Sequence, residues 1–424
     1  MKRESPDIEK TAIELGMTDD LSKKKQLAKE TFDTANKQGA YPSSIHEFYK
    51  ARGRGEFGGF TVLAINLRSM TYDLARSIFR VAKKNNSGAF IFGIARSEIG
   101  YTNQPPIEYS SMILAAAIKE SYSGPVFIQG DHFQANAAKF KENPDKETES
   151  LKALIADAIS SGFYNIDIDS STLVDLSKPD LKKQQLPNCE LCAILTEFIR
   201  SIEPKGITIS VGGEIGEIGH QNSTPEDLHA FMTGLNERLP KRLAGISKIS
   251  VQTGTTHGGI VLPNGSIAQI NLDFNTLKTL SEAARKEYGL AGAVQHGAST
   301  LPPEAFHKFV ECETAEVHLA TEFQNMIYES KHFPATLKRR IYEWLKINAA
   351  NEAKQGETEE QFLYKTRKKA LGPFKKEIMG LPQETRDVIA VEIENKFDFL
   401  FKQLKAVNKK ELVDKYVQAK HKQF

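Results

Sequence analysis

The feature that most constrains the fold is an alternation of short apolar runs with longer amphipathic segments between about residues 60 and 320. This alternation is typical of buried parallel strands that are each followed by a helix. YDLARSIFRVAKKN and LKALIADAISSG are examples of the amphipathic segments. The apolar runs, about eight in number, are FTVLAIN, GAFIFGIA, GPVFIQGD, FYNIDID, GITISVGGE, ISKISVQTGTTHG, LAGAVQHG and AEVHLAT.

About eight strand–helix units over roughly 260 residues match the size of a (β/α)8 barrel, in which eight parallel strands close into a cylinder. An open doubly wound sheet usually has fewer strands and a glycine-rich first turn, and this chain has no such turn. The sequence therefore predicts an α/β protein whose residues 46–330 form a (β/α)8 (TIM) barrel.

Two flanking segments differ from the barrel pattern in composition. Residues 1–45 are polar and are predicted to form an N-terminal helical extension. Residues 331–424 are charged, and Gly-Pro and Leu-Pro steps divide them into amphipathic helices, which predicts a charged helical C-terminal extension. This extension is expected to act as a helical cap or a subunit contact. Its basic cluster YKTRKKALGPFKK either faces solvent, as charge clusters usually do, or contacts phosphate-bearing ligands.

Composition excludes several classes of protein. With 56 Lys and Arg against 54 Asp and Glu, the formal charge is +2, so neither nucleic acid nor a membrane is the expected partner. The N-terminus lacks a signal-like apolar core and no apolar stretch is long enough to span a bilayer, which predicts a cytoplasmic protein. The 3 cysteines cannot build a disulfide framework, and Cys189 and Cys192 are expected to face a helical core rather than bind metal.

Three histidines stand at predicted strand ends, where the loops of a barrel form its open top. His132 follows the third strand in GDHFQ, His257 the sixth in GTTHGGI and His296 the seventh in VQHGAST. Three neutral imidazoles that converge at one barrel mouth suit zinc and leave a fourth position for a substrate oxygen. The alternative is three separate, hydrogen-bonded histidines. Their concentration at strand ends, among only 10 histidines, favours the metal site.

Five motifs follow one another through the predicted barrel: DH, GGEIG, GTTHGG, QHGAST and ATEFQ. Their order resembles that of the class II, zinc-dependent ketose-bisphosphate aldolases, and the tagatose-bisphosphate type is the most similar. The segments AINLRS, SSGFYNIDIDSS and NLDFNTLKTL agree with the same family. The resemblance spans about residues 60–330 and leaves out both extensions.

The resemblance implies catalytic and metal-binding roles. Asp131 would be the acid/base that handles the proton of the sugar C4 hydroxyl as the C3–C4 bond breaks. His132, His257 and His296 would bind one catalytic Zn²⁺, which another divalent ion could replace. Glu214 in GGEIG matches a family glutamate that can approach the metal. A carboxylate near a divalent cation stays ionised and can accept a hydroxyl proton.

Phosphate recognition in the family uses backbone amides and small hydroxyl groups from the last two strand ends, as barrel phosphate sites generally do. By resemblance, Gly297, Ser299 and Thr321 would bind phosphate. Further substrate contacts are expected at Asn66, Ser97, Gly258 and His318. Ordinary loop and helix-capping roles are the alternative explanation of HGAST and ATEF.

Two departures from the family pattern concern the substrate. The family has an acidic mobile loop after the GG pair, whereas Gln221 and Asn222 stand here where acids are expected. Neither amide can act as a base, so the C3 proton needs another carrier, either Glu217 or His220. His318 stands where the family has a substrate-facing asparagine, which predicts a reshaped donor site.

These observations predict a zinc-dependent lyase that cleaves the C3–C4 bond of fructose 1,6-bisphosphate or tagatose 1,6-bisphosphate to dihydroxyacetone phosphate and an aldehyde. A metal-dependent ketose C4 epimerase is the first alternative, because an enzyme without the loop acid can cleave and re-form the bond without releasing both halves. A non-catalytic companion subunit of an aldolase is the second, against which the preserved histidines argue. A sugar phosphate and a homo-oligomeric partner chain are expected.

Overall fold

A sheet of parallel strands forms the centre of the protein, for which a computed structural model describes residues 7–216, 221–254, 261–262 and 272–417. The order of hydrogen-bonded neighbours is β1-β4-β3-β2-β9-β8-β7-β6-β5, with a further pairing of β4 with β5. The strands are β1 Ala40–Ser43, β2 Val62–Asn66, β3 Phe90–Ala95, β4 Gly124–Gln134, β5 Asn165–Asp169, β6 Ser210–Gly216, β7 Lys248–Val251, β8 Ala293–Gln295 and β9 Glu316–Leu319.

Strands β2 to β9 close into a cylinder, because β2 pairs with β9 and β4 pairs with β5. Each of the eight apolar runs of the sequence overlaps one of these strands. The predicted (β/α)8 barrel is therefore confirmed. Strands β2, β3 and β5 are buried at every residue, as expected of parallel strands covered on both faces. Strand β1 stands outside the cylinder and pairs with the first residues of β4.

Helices alternate with the barrel strands and continue on both sides of the barrel. They are α1 Ile8–Met17, α2 Leu21–Lys37, α3 His46–Gly53, α4 Thr71–Lys84, α5 Arg96–Thr102, α6 Pro106–Lys119, α7 Ala137–Glu142, α8 Pro144–Ser160, α9 Leu181–Ile202, α10 Pro225–Arg238, α11 Phe274–Tyr288, α12 Phe306–Glu311, α13 Thr321–Glu329, α14 Ala335–Asn348, α15 Glu359–Thr366, α16 Lys375–Met379, α17 Gln383–Gln403 and α18 Lys410–Tyr416. A short 3-10 helix, Arg367–Ala370, follows α15. None of the helices that the structure describes is long and apolar enough to cross a membrane.

Both extensions pack onto the barrel in one continuous apolar cluster, which contains Ala12 of α1, Phe79 of α4 and Ile389 of α17. A buried ion pair also joins the C-terminal extension to the barrel, with 2.7 Å between Arg386 Nη1 and Asp73 Oδ1. The N-terminal extension contains helices α1 and α2 and, in addition, strand β1. The boundaries of the barrel at residues 46 and 330 stay a prediction.

The cysteines lie in the apolar interior. Cys189 and Cys192 of α9 are buried, as is Cys312, and all three are free thiols. Burial raises the pKa of Cys189 to about 11, which keeps that thiol protonated and unreactive. This environment agrees with the expected core position of the pair.

Candidate active site

A cavity of about 480 Å³ opens at the carboxyl ends of the barrel strands. Several predicted site residues line it: Asn66, Ser97, Asp131, His132, His296, Gly297, Ser299, His318 and Thr321. Glu214 does not line the cavity but contacts His132 from the side, with 3.0 Å between Glu214 Oε2 and His132 Nδ1. The predicted residues Glu217, His220, His257 and Gly258 lie outside the part of the chain that the structure describes.

A β-bulge explains how the neighbours Asp131 and His132 both reach the site. Successive side chains of a regular strand point to opposite faces of the sheet. The pairing of β4 with β5 shifts by one residue between Gly130 and Phe133, and His132 takes a left-handed backbone conformation with φ of 40°. Such bulges re-aim side chains near active sites. The irregular backbone at this strand end therefore gives the cavity both ionisable groups.

Two carboxylates hold the ring of His132. Its Nδ1 lies 3.0 Å from Asp169 Oδ2 and 3.0 Å from Glu214 Oε2. Burial disfavours the charged imidazole, but the charges of Glu214 and Asp131 outweigh burial and raise the pKa of His132 well above its usual value. Asp169, the last residue of β5, was missed in the sequence, although its position at a strand end was the available signal.

His132, His296 and His318 form a row of three rings, here called the histidine array. The centroids of the His132 and His296 rings are 4.0 Å apart, and those of His296 and His318 are 4.1 Å apart. His296 Nε2 lies 3.0 Å from Ser250 Oγ. The Nδ1 atom of His296 faces Asp131 Oδ1 at 3.7 Å, and the Nε2 atom of His132 faces the same oxygen at 4.0 Å.

The side chains of Asp131, His132 and His296 have atoms of the right kind and spacing to bind a divalent metal ion. One ligand atom from each of Asp131, His132 and His296 can be chosen such that all lie within 4.8 Å of one another. Each imidazole contacts a protein partner through one nitrogen and turns the other toward Asp131. Histidine metal ligands are usually oriented in this way by a second hydrogen-bonding partner. His132 and His296 are therefore placed to bind metal together.

Asp131 is a buried carboxylate that is fixed on one side. Its Oδ2 accepts a hydrogen bond of 2.7 Å from Asn66 Nδ2, which also donates to Glu98 Oε2 at 2.8 Å. Gly93 leaves room for this amide, because a Cβ at residue 93 would collide with Asn66 Oδ1. Burial by itself raises the pKa of Asp131, but His318 and His132 more than offset that effect and hold the pKa well below its usual value. The carboxyl group of Asp131 is therefore ionised.

His318 links Asp131 to the inside of the barrel. Its Nδ1 lies 3.2 Å from Asp131 Oδ1, and its Nε2 lies 2.6 Å from Glu316 Oε1. Burial lowers the pKa of His318, but the two carboxylates raise it more, so that it reaches about 9. The ring expected to face substrate thus lies between two acidic side chains.

A set of polar side chains that we call the interior network fills the barrel below His318. Lys248 Nζ lies 2.6 Å from Glu316 Oε1, 3.0 Å from Asp167 Oδ2 and 2.8 Å from Gln129 Oε1. Barrel interiors are usually filled by bulky aliphatic residues. Here the side chains of Lys248 and Glu316 are 0% exposed. The members of the interior network are Gln129 of β4, Asp167 of β5, Lys248 of β7 and Glu316 of β9.

Four cationic side chains, here called the cationic wall, line part of the cavity: Arg68, Arg96, Lys139 and Lys368. Lys368 comes from the C-terminal extension, within the basic cluster of the sequence, so one member of that cluster reaches the cavity. Burial and the charge of Arg68 lower the pKa of Lys368. Arg68 Nη1 donates to Thr321 Oγ1 at 3.1 Å, and its Nε lies 2.6 Å from Glu98 Oε1. This wall of the cavity is suited to an anionic ligand.

The predicted phosphate-binding residues lie at the start of α13. Thr321 is the first residue of this helix, and Ser299 Oγ accepts a hydrogen bond of 3.4 Å from the backbone N–H of Glu322. No side chain caps α13 through its N-cap residue Ala320. Helix N-termini favour anions because their N–H groups have no partner within the helix.

The two amides in the place of the family's loop acids lie away from the cavity. Neither Gln221 nor Asn222 lines it. Asn222 Nδ2 donates to Asp273 Oδ2 at 3.3 Å, and Asp273 caps α11. Asn222 therefore supports the loop next to the start of α11.

The fold and the site together define a (β/α)8-barrel enzyme with a candidate metal site. The family model "fructose-bisphosphate aldolase class-II" matches residues 51–379. The chain belongs to this family, and it is an aldolase-type enzyme. The match extends past residue 330, so the first part of the C-terminal extension belongs to the family pattern, contrary to the narrower resemblance seen in the sequence.

Three solved structures are similar to this protein, and in each case the matched region covers most of both chains. Fructuronate-tagaturonate epimerase from Cohnella laeviribosi has a TM-score of 0.54 at 10% identity, covering 93% of this chain and 86% of that one. A probable tagatose 6-phosphate kinase from Sinorhizobium meliloti has a TM-score of 0.52 at 15% identity, covering 82% and 97%. Fructose-bisphosphate aldolase from Campylobacter jejuni has a TM-score of 0.48 at 18% identity, covering 88% and 97%. No curated protein matches significantly.

Proposed function

We propose that this chain is a metal-dependent lyase that cleaves the C3–C4 bond of fructose 1,6-bisphosphate or tagatose 1,6-bisphosphate. The products would be dihydroxyacetone phosphate and an aldehyde. The observation that carries the proposal is the environment of Asp131, an ionised carboxylate at the cavity whose Oδ1 is faced by all three rings of the histidine array. Family membership supports the same reaction class.

The roles of the protein groups follow from their positions. Asp131 accepts the proton of the C4 hydroxyl as the C3–C4 bond breaks, and Asn66 fixes the carboxylate by its hydrogen bond to Oδ2. His132 and His296, with His257 expected beside them, would hold the metal ion. When bound, a divalent ion such as Zn²⁺ supplies positive charge beside the ketone oxygen. Glu214 and Asp169 orient His132 for this purpose.

The cationic wall supports a phosphorylated substrate. Arg68 connects this wall to Thr321, where the sequence predicts phosphate binding with Gly297 and Ser299. The side chain of Arg68 is paired with Glu98, whereas no hydrogen bond or ion pair is found for the side chain of Lys368 among the described residues. Lys368 Nζ instead lies 5.9 Å from the centroid of the Tyr101 ring. We therefore infer that Lys368 contacts a substrate phosphate.

Lys368→Met is expected to raise KM for the bisphosphate substrate by about tenfold, because a charge-assisted hydrogen bond contributes about 1.5–3 kcal/mol and part of it is lost to solvent screening. The kcat value should change little, because Lys368 is assigned no proton-transfer role. Lys369→Met is the matched control, since Lys369 pairs with Glu352 and does not line the cavity. Steady-state kinetics of both variants decide the question, and equal effects of the two would contradict the assignment.

The reaction itself is tested by a coupled triose-phosphate assay on both bisphosphates, with and without chelator. Triose release that stops with chelator and returns with Zn²⁺ is the expected result. The faster of the two sugars identifies the C4 configuration that the site prefers. If metal-loaded protein releases no triose from either sugar, the lyase proposal is wrong.

A ketose C4 epimerase is the second candidate, favoured by the positions of Gln221 and Asn222. Neither amide can move a proton and neither lines the cavity, so neither would protonate C3 in competition with re-formation of the bond. The same fold also occurs in a fructuronate-tagaturonate epimerase. Interconversion of C4-epimeric ketoses without trapped triose, followed by NMR, would replace the lyase by this second function.

A further inference from the structure

We propose that His318 is an additional ligand of the metal site at the barrel mouth. The family resemblance puts an asparagine at this position, so the ligand would be a property of this chain rather than of the family pattern. The inference rests on the proposed function, because it concerns the metal ion of the same site. It adds a residue to the ligand set and gives His318 a role different from the substrate contact expected from the sequence.

The first argument is convergence. Each ring of the histidine array turns one nitrogen toward Asp131 Oδ1, at 4.0 Å from His132 Nε2, 3.7 Å from His296 Nδ1 and 3.2 Å from His318 Nδ1. His296 stands between the other two rings, and the tilts between neighbouring rings are 41° and 40°. His318 thus lies beside the same carboxylate oxygen as the two histidines already expected to bind metal, and with Asp131 and Asp167 it forms an adjoining group of possible ligand atoms.

The second argument is the anchor of the ring. His132 is held through Nδ1 by Asp169 and Glu214, and His318 is held through Nε2 by Glu316 at 2.6 Å. A carboxylate that accepts a hydrogen bond from one imidazole nitrogen fixes the tautomer and directs the lone pair of the other nitrogen at a metal. His318 has this arrangement.

The third argument is a pair of buried atoms without hydrogen-bond partners. His318 Nδ1 and Asp131 Oδ1 are both buried, and neither has a hydrogen-bond partner among the described residues, although only 3.2 Å separates them. The two side chains are 4% and 5% exposed. Buried polar atoms of this kind are rarely left unpaired. A cation bound by His318 Nδ1 would give that nitrogen a partner and would be attracted by the charge of Asp131.

A neutral His318, which metal binding requires, would leave the buried Glu316 without the charge of a protonated imidazole. The interior network supplies another cation to Glu316. Lys248 lies 2.6 Å from Glu316 and also pairs with Asp167, so Glu316 keeps a cationic partner when His318 is neutral. The neutral imidazole that binds metal is therefore compatible with its carboxylate partner.

The experiment measures metal binding rather than turnover. Chelator-stripped protein is titrated with Zn²⁺ against a chromophoric competitor, and Co²⁺ is added to a second sample to record its d–d absorption. His318→Asn is expected to lower Zn²⁺ affinity by about 10–100-fold and to change the Co²⁺ spectrum. His307→Asn is the matched control, because His307 is a surface residue of α12 that faces Glu311 at 3.7 Å. It should match the wild type.

Two reference variants separate the possible failures. If His132→Ala abolishes Zn²⁺ binding while His318→Asn leaves affinity and spectrum unchanged, His318 is only an ion-pair partner of Asp131 and the inference is overturned. If neither His132→Ala nor His296→Ala changes Zn²⁺ binding, the metal site of the proposed function fails as well. Circular dichroism checks the fold, and His318→Gln, which is closer in size to histidine, supports or overturns the inference by the same criteria if His318→Asn does not fold.

Discussion

Asp131→Asn is expected to lower kcat by about 10²–10⁴-fold, the range attributed to one general acid–base group, while metal content stays near that of the wild type. The change removes the charge and the basicity of the group but keeps its shape. The asparagine oxygen can still accept the hydrogen bond that Asn66 now gives to Asp131 Oδ2. The coupled triose-phosphate assay gives kcat, and elemental analysis gives the metal content of the same sample.

The outcome distinguishes three roles of Asp131. Low kcat with full metal content identifies the proton-transfer group. Loss of metal together with activity would mean that Asp131 mainly supports the ligand sphere, in keeping with its distances to His132 and His296. Unchanged kcat would place the acid/base elsewhere. Asp175→Asn is the control for a carboxylate change at the surface, since the Asp175 side chain is 40% exposed.

The barrel could be predicted from the sequence because each of its strands is a local apolar run with a helix after it. Parallel strands buried on both faces have a composition that is visible without knowledge of their neighbours. The site could be predicted in part for the same reason, since a barrel brings strand ends together. Asp131 and His132 are neighbours in sequence, and the local pattern was sufficient to single them out.

The rest of the site depends on which strands lie opposite one another, and no local pattern contains that information. Lys248 and Glu316 belong to strands β7 and β9 and meet only across the closed barrel. Asp169 is important because β5 places it beside His132. The basic cluster was visible in the sequence, but only the docking of the 3-10 helix, where Arg367 bonds Asn325, decides that Lys368 reaches the cavity.

Lys248→Met is expected to lower the free energy of unfolding by about 3–5 kcal/mol, the usual effect of removing one partner of a buried ion pair. The loss would leave Asp167 and Glu316 buried without their common cation, and Tyr49, which donates to Glu316, cannot supply a charge. Urea denaturation of metal-free protein measures the effect without a contribution from metal binding. Lys286→Met, which breaks an exposed pair with Glu282 on α11, should change stability little.

Glu316→Gln, added to Lys248→Met, separates the effect of the interior network on protein stability from its effect on the metal site. Adding Glu316→Gln to Lys248→Met removes one of the two buried carboxylates that lose their lysine, so part of the lost stability should return. Zn²⁺ affinity should be lower in the double variant than in Lys248→Met, because the glutamine gives His318 Nε2 a weaker acceptor than the carboxylate does. If Lys248→Met alone unfolds with wild-type stability, the ion pairs of the network contribute nothing to the fold. If Zn²⁺ affinity instead rises with stability from Lys248→Met to the double variant, the network acts on the site only through the general stability of the barrel.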